Sequence, residues 1–340
     1  MHLGNFTKKL TNKTKLLGTF ILGLILLSSF TWSFPIFIAQ SKTNYPFATW
    51  YWDDFANEDY SKKVVAAANR GVDTIYLNIE SFDIAGIKPT YPIKSLLDYK
   101  VKLAEFINYA NKANIKVEAL LGNSEFSRPS NVSKVYQTVE FVVNYNKDTN
   151  LNKQNLLTGL HLDIEFYNDQ EYVNNKVEFT KNYYDMIFKV NNDLTSYRDS
   201  SYKEFKFTQD VTYQSFNNLV IPTIQYKNKN TFFLDHISNL LNSSDYNYIN
   251  LMSYRSKFEG VNSVSDISNQ NIKFLNTIRS KLKVNIAIET ADIGDSHVSL
   301  YGKNLKYIRK GADRLNKIYS KNPNFSGVSV HDINSLIKIN

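Results

Sequence analysis

Cysteine is absent from the 340-residue chain. Its absence excludes disulfide bonds, thiolate metal sites and cysteine nucleophiles, although it does not exclude export from the cell. From Tyr45 onward the chain also lacks any linker rich in proline, glycine or serine, any low-complexity block and any internal repeat. Hydrophobic residues make up 43% of the chain and charged residues 21%, which is typical of a globular protein rather than a disordered one.

Positive charge is in excess, but it is not concentrated on one folded region. The formal net charge is +8, and Lys8, Lys9, Lys13 and Lys15 account for half of it. Without these four lysines, 36 of the 40 basic residues remain against 32 acidic ones. The remaining surplus is scattered and forms no basic stripe, so we expect no nucleic-acid partner.

Residues 16–39 contain no charged side chain, and the basic segment 1–15 precedes them. About 20 apolar residues suffice to cross a bilayer, and lysines favour the cytoplasmic side. Phe37-Ile38-Ala39, before Gln40, is a poor cleavage site because signal peptidase prefers small residues. We therefore expect a membrane anchor with an extracellular domain. The alternative is a cleaved signal segment and a secreted protein.

After a short linker, residues 40–45, strand-like runs alternate with longer amphipathic runs through residues 46–340. This α/β alternation, eight times over one domain, predicts a (β/α)8 TIM barrel. A doubly wound open sheet is the alternative, but "WYWDDFAN" follows the first strand in place of a glycine-rich phosphate loop. The expected strands are Phe47–Trp52, Thr74–Glu80, Lys116–Asn123, Gly159–Tyr167, Leu219–Tyr226 in preference to Phe205–Val211, Tyr248–Arg255, Lys283–Thr290 and Gly327–Asp332.

The stretch "GLHLDIEFYN" alternates ionisable and apolar side chains. A barrel strand packs one face on the helices and points the other inward. Its apolar members would face the helices: Leu160, Leu162, Ile164 and Phe166. Its polar members would point inward: His161, Asp163, Glu165 and Tyr167. The carboxyl end of a barrel strand is where catalytic groups lie, so this alternation predicts an active-site strand.

The same argument places side chains from other strands at the mouth of the barrel. We expect the inward residues there to be Trp52, Glu80, Asp163, Glu165, Tyr254, Glu289 and His331. Paired carboxylates between aromatic walls suit cleavage of glycosidic bonds, because one must donate a proton and another must support the positive sugar carbon. Asp163 lies about 6–7 Å from Glu165 along the strand. A carboxylate so near favours retention of a proton by Glu165, or a proton shared between the two. The expected sugar contacts are Trp52, Trp50, His331, Glu80, His161 and Arg255.

"GLHLDIE" resembles the D-x-x-D-x-D-x-E signature of family 18 glycoside hydrolases, the chitinases and endo-N-acetylglucosaminidases, whose fold is this barrel. "INLMSY" resembles that family's M-x-Y-D strand. The resemblance implies that Glu165 is the general acid and that Asp163 orients the substrate's N-acetyl group, whose carbonyl attacks the anomeric carbon. It also implies that Tyr254 hydrogen-bonds the acetamide.

Several positions depart from that family pattern. Thr158 and His161 replace the first two aspartates, and Arg255 replaces the aspartate after the tyrosine. His331 stands where the family usually has a tryptophan under the sugar. A second resemblance, to uncharacterised bacterial barrel proteins, rests on HLDIE together with "IAIETADIG" and "GVSVHDI", and it implies no activity.

Three alternatives follow from the same residues. Glu165 and Glu289, ending the fourth and seventh strands, match the layout of retaining glycosidases, with Glu289 as nucleophile. A catalytically inactive, carbohydrate-binding barrel is the second. A metal held by His161, Asp163 and Glu165 with His331 is the third, although alternate strand positions make a loose cage. We expect a monomer that binds a glycan, without a cofactor or a metal.

Overall fold

The computed structural model describes residues 43–80, 95–148, 155–216 and 218–340. Eight parallel strands close into a barrel, which confirms the predicted (β/α)8 fold. The barrel strands are β1 (Phe47–Tyr51), β2 (Thr74–Asn78), β3 (Lys116–Leu121), β4 (Gly159–Leu162), β5 (Lys206–Thr212), β8 (Asn247–Met252), β9 (Lys283–Glu289) and β10 (Phe325–His331). They are hydrogen-bonded in the order β1-β10-β9-β8-β5-β4-β3-β2.

Helices return the chain between the strands and cover the barrel. They are α1 (Ser61–Asn69), α2 (Leu96–Lys112), α3 (Val132–Lys147), α4 (Lys176–Ser200), α5 (Phe233–Leu241), α6 (Val264–Thr277), α7 (Leu305–Tyr319) and α8 (Ile333–Leu336). Side-chain caps fix the start of four of them: Ser95, Ser263, Asn304 and Asp332 each accept a backbone N–H three residues later. Such caps satisfy N–H groups that the helix itself cannot.

The fifth barrel strand is Lys206–Thr212, so the preference for Leu219–Tyr226 is wrong. Pro222 has no N–H to donate, and a strand between two neighbours needs its donors. The chain instead forms a two-stranded hairpin there from β6 (Ile224–Tyr226) and β7 (Lys229–Thr231). Ile221, Ile224 and Tyr226 of that segment are buried, whereas Leu219 is exposed. Tyr226 packs against Tyr184 of α4 and His236 of α5, so this apolar pattern reflects packing on helices.

The interior of the barrel is filled below the mouth. Trp50 is fully buried and meets Tyr76 edge to face, with ring centroids 5.1 Å apart. At the amino ends of the strands, the Nζ atom of Lys206 lies 3.2 Å from the carboxylate of the buried Glu118. A packed interior leaves the carboxyl ends of the strands as the place for a ligand, as in barrel enzymes.

The expected anchor, residues 16–39, and the segments on either side of it, 1–15 and 40–42, lie outside the described residues. Among the residues that the structure does describe, none of the helices combines the length and apolar character needed to cross a membrane.

Candidate functional site

Glu165 lies just beyond the end of its strand. β4 ends at Leu162, earlier than the expected Tyr167, although the N–H of Asp163 still donates to the carbonyl of Leu121 on β3 at 2.7 Å. Glu165 leaves the strand conformation (φ −80°, ψ 63°), and a short 3-10 helix follows it. The two carboxyls therefore reach the mouth from a turn at the carboxyl end of β4.

Asp163 is paired with Asp210, which β5 supplies. The two carboxyl groups interact directly, and the Oδ1 atom of each is buried without a hydrogen-bond partner among the described residues. Burial, followed by the charges of Asp210 and Glu165, raises the pKa of Asp163 well above its usual range. Burial likewise raises the pKa of Asp210, to about 8. Because the two carboxyls interact directly, this value describes the loss of the one proton that they hold together, not of a second proton. One proton held between the two acids accounts for these features.

The remaining oxygen of Asp210 is held by the barrel interior. Its Oδ2 atom accepts the indole N–H of Trp50 at 3.1 Å and lies 2.8 Å from Nε2 of His161. Burial lowers the pKa of His161 to about 3, so the ring is neutral and donates its Nε2 proton to Asp210. Trp50 and His161 are thus buried supports of the acid pair rather than residues on the open surface of the mouth.

Glu165 and Tyr254 reach solvent beside this acid pair. Both are half-buried. The hydroxyl of Tyr167 donates to Oε2 of Glu165 at 2.5 Å, which fixes the carboxyl group and leaves Oε1 toward the mouth without another protein partner among the described residues. Burial and the charge of Glu289 raise the pKa of Tyr254 well above its usual range, so its phenol stays protonated and can donate a hydrogen bond.

Glu289, His331 and Trp52 form a chain on the opposite side of the mouth. The Oε2 atom of Glu289 lies 2.8 Å from Nδ1 of His331, and the indole N–H of Trp52 donates to Nε2 of His331 at 3.0 Å. Glu289 is only 2% exposed, and its other oxygen accepts the backbone N–H groups of Thr290 and Ala291. Both oxygens of this carboxylate are therefore occupied.

Trp52 directly follows β1 and contacts His331 of β10 on one side and Gly122, just after β3, on the other. Its six-membered ring lies on Gly122, where an added Cβ atom would stand 2.4 Å from Cη2 of the indole. The N–H of Gly122 also donates to Oε1 of Glu80 at 2.6 Å. Glycine at this position thus lets the indole lie flat on the backbone and places Glu80 beside it. Burial raises the pKa of Glu80.

The structure brings together the seven residues expected at the mouth and adds Asp210, which the incorrect fifth strand concealed. The available signal was weak: Phe207 and Val211 share one face of Lys206–Thr212, but Gln209 interrupts the alternation. Arg255 does not join the carboxylates: its guanidinium donates to Asn262 and to the carbonyl of Tyr254, and stacks on Tyr213 at 4.4 Å. Across the described ranges, no group of three histidine, aspartate or glutamate side chains is arranged to hold a metal ion.

The mouth therefore has two chemically different sides. Carboxyl groups from β4 and β5 line one side, where a proton is available. The aromatic rings of Trp52 and His331 line the other, with ring centroids 6.4 Å apart. Tyr254 lies between the two sides, with its ring centroid 6.3 Å from that of His331. Flat rings bind the apolar face of a sugar, and paired acids support cleavage of its glycosidic bond.

These features define a (β/α)8 barrel whose mouth is lined by carboxyl groups and aromatic rings. Compared by sequence, the chain matches no protein-family model and none of the curated proteins. Compared by structure, the chain is similar to barrels that include several glycoside hydrolases. One is a GH18 chitinase from Pseudoalteromonas aurantia, with a TM-score of 0.51 and 10% identity over 84% of this chain and 93% of that one.

Two further neighbours have similar scores. A chitinase from Bacteroides thetaiotaomicron has a TM-score of 0.50 and 12% identity over 86% of this chain and 91% of that one. The exo-β-1,4-mannosidase Op5Man5 from Opitutaceae bacterium strain TAV5 has a TM-score of 0.51 and 9% identity over 84% of this chain and 51% of that one. This chain thus spans about half of the mannosidase. At these identities the likeness shows the fold, and at that level the resemblance to family 18 is confirmed.

The contact between Gly122 and Trp52 predicts the effect of one added methyl group. In Gly122→Ala the new Cβ would collide with the indole, and we expect a loss of about 1–3 kcal/mol in the free energy of unfolding, typical of overpacking. Chemical denaturation measures the loss, and near-ultraviolet circular dichroism reports the moved ring. In a Trp52→Ala background the same substitution should cost almost nothing. Equal losses in both backgrounds would show that the contact is not responsible.

The acid pair predicts a pH dependence of stability. Asp210 has a pKa of 3.8 in the unfolded chain and about 8 in the folded one. The folded chain therefore binds more protons between these values, and the free energy of unfolding should fall as pH rises from 4 towards 8. Denaturant titrations of wild type and Asp210→Asn at several pH values measure the slope, which should be shallower in the variant. Identical slopes would rule out a shared proton.

Proposed function

We propose that the protein is a glycosidase that cleaves a polysaccharide containing N-acetyl amino sugars, with Glu165 as general acid and Asp163 assisting. The observation that carries the proposal is the pair of closely placed carboxyl groups of Asp163 and Asp210, with raised pKa values, beside the half-exposed Glu165. A neutral Asp163 next to Glu165 as proton donor suits a substrate whose own acetamide attacks the anomeric carbon. Asp163 can pass its proton to Asp210 and then accept a hydrogen bond from the amide N–H of the substrate.

In the proposed step, protonated Glu165 gives its proton to the glycosidic oxygen, and the bond from that oxygen to the anomeric carbon breaks. The acetamide carbonyl oxygen forms a bond to the same carbon, so no protein nucleophile is needed. Tyr254, protonated and without a hydrogen-bond partner for its hydroxyl among the described residues, donates to that carbonyl oxygen. Water then attacks the anomeric carbon, the bond from that carbon to the acetamide oxygen breaks and restores the acetamide, and one proton of the water passes to Glu165.

A retaining mechanism with Glu289 as nucleophile has less support. A nucleophilic carboxylate must present a free oxygen to the anomeric carbon. Both oxygens of Glu289 are engaged, one by two backbone N–H groups and one by His331. In our proposal Glu289 holds His331 instead of attacking the sugar.

The second candidate function is a catalytically inactive barrel that binds carbohydrate. It is favoured by His161, which is buried and neutral where the family 18 signature has an aspartate. In this case the aromatic side of the mouth, with Trp52 at its centre, would be the functional surface. Loss of glycan binding in Trp52→Ala, with no turnover by wild type, is the result expected of a binding protein.

Substitution of the proposed acid separates catalysis from binding. Glu165→Gln keeps the shape of the side chain and its hydrogen bond from Tyr167 but removes the transferable proton. We expect turnover of N-acetylglucosamine oligomers to fall about 10²–10⁴-fold, the usual contribution of a general acid, with binding and thermal unfolding unchanged. Release of reducing ends measures turnover.

Glu125→Gln is the matched control, because Glu125 is an exposed glutamate on the neighbouring loop after β3. Its turnover should equal that of wild type. Unchanged turnover in Glu165→Gln would refute the proposed role, and an absence of turnover in wild type over a panel of glycans would favour the binding protein.

We also propose that residues 16–39 anchor the protein in the cell membrane, with the barrel outside the cell. Support comes from the uncharged length of this segment and the four lysines before it. In cell fractionation, the full chain should stay in the membrane pellet after an alkaline wash. Recovery of the protein from the growth medium would instead indicate a cleaved signal segment.

A further inference from the structure

The aromatic side of the mouth contains a hydrogen-bond chain that the proposed hydrolysis does not use. The N–H groups of Thr290 and Ala291 donate to Oε1 of Glu289 at 2.8 and 2.7 Å. Oε2 of Glu289 lies 2.8 Å from Nδ1 of His331. Nε2 of His331 accepts the indole N–H of Trp52 at 3.0 Å. These hydrogen bonds thus connect the backbone after β9 to the indole ring of Trp52.

This chain is complete in one protonation state of His331 only. An indole N–H can only donate, so Nε2 of His331 must accept, and its single proton is at Nδ1, where it donates to Glu289. A second proton on Nε2 would face the N–H of Trp52, donor against donor. Protonation of His331 therefore breaks its hydrogen bond to Trp52 and leaves the indole without a partner at that end.

The groups around His331 bring this protonation into an accessible pH range. Glu289 faces it from β9, Asp163 from the end of β4, and Tyr254 from the end of β8, while Asp332 follows it in the chain. Burial lowers the pKa of His331, but its hydrogen bond to Glu289 and the nearby negative charges outweigh burial and raise it above the ordinary histidine value.

We propose that Glu289 and His331 are positioning residues that hold Trp52 as the sugar-binding platform, and that protonation of His331 releases this platform in acid. The inference rests on the proposed function, because a platform requires a glycan. On the eighth barrel strand, His331 stands where family 18 usually has a tryptophan under the sugar. In the proposed arrangement Trp52, which follows β1, takes that role. Glycan binding is then strong where His331 is neutral and weakens as pH falls through its pKa.

Two measurements on the full chain between pH 5 and 8 test the proposal. Tryptophan fluorescence without ligand reports both Trp52 and Trp50, whose ring centroid lies 5.5 Å from that of His331, so the part that is lost in Trp52→Phe is assigned to Trp52. Calorimetric titration with an N-acetylglucosamine oligomer reports binding. Wild type should show a one-proton fluorescence transition, and its affinity should fall about tenfold in acid, as expected when one ring contact is lost. Trp52→Phe, which has no N–H to donate, should lose most of both changes.

Two further variants separate positioning from a merely structural role. His331→Gln can accept from Trp52 and donate to Glu289 but cannot titrate, so it should bind at pH 8 like wild type and lose the pH dependence. Glu289→Gln removes the charge that favours the imidazolium and should move the midpoint to lower pH. An unchanged midpoint in Glu289→Gln, or a persistent transition in His331→Gln, would overturn the proposal.

The outcomes also distinguish this inference from the proposed function. Hydrolysis or binding without a fluorescence transition would overturn the coupling of His331 to Trp52 and leave the glycosidase standing. A transition that follows the variants as described, without hydrolysis of any glycan, would support the coupling and count against the glycosidase.

Discussion

The proton shared by Asp163 and Asp210 is the interaction on which the site depends. Two carboxylates buried side by side cannot both be charged, since each ion would lose its water and repel the other. The barrel fixes the pair by giving Asp210 two donors, the indole of Trp50 and the imidazole of His161. The closed ring of strands brings these groups from β1, β4 and β5 to one point.

Around that pair, side chains that pack the interior also position the groups of the site. Trp50 fills the barrel below the mouth and at the same time donates to an acid, so one side chain serves both the core and the site. Across the mouth, Glu289 is saturated with hydrogen bonds, which makes it a rigid support for His331 rather than a reactive group. The carboxyl side thus holds a proton that can move between Asp163 and Asp210, while hydrogen bonds position the rings on the aromatic side.

The sequence predicted the features that depend on local periodicity. Alternation in "GLHLDIEFYN" placed His161 inward and Asp163 with Glu165 at the mouth, because a strand repeats every two residues. It failed for β5, where a richer apolar run, Leu219–Tyr226, competed with the more polar Lys206–Thr212. Asp210 was hidden as a result. Apolar content alone does not distinguish a barrel strand from a segment buried outside the barrel.

Contacts between distant segments were beyond sequence reasoning. The seat of Trp52 on Gly122 depends on how β1 and β3 are placed relative to each other, and nothing in either segment alone encodes it. The same is true of Arg255, whose guanidinium turns to Asn262 and Tyr213 although it directly follows the mouth residue Tyr254. Which partner a long side chain selects is decided by tertiary geometry.

The central claim is that one proton resides between Asp163 and Asp210 at neutral pH. Carbon-13 NMR of the aspartate carboxyl groups, assigned with the Asp163→Asn and Asp210→Asn variants, measures it directly. The account predicts that one carboxyl resonance of the pair remains in the protonated range at pH 7 and moves only at more alkaline pH. Two resonances that both titrate near the ordinary aspartate value would contradict it.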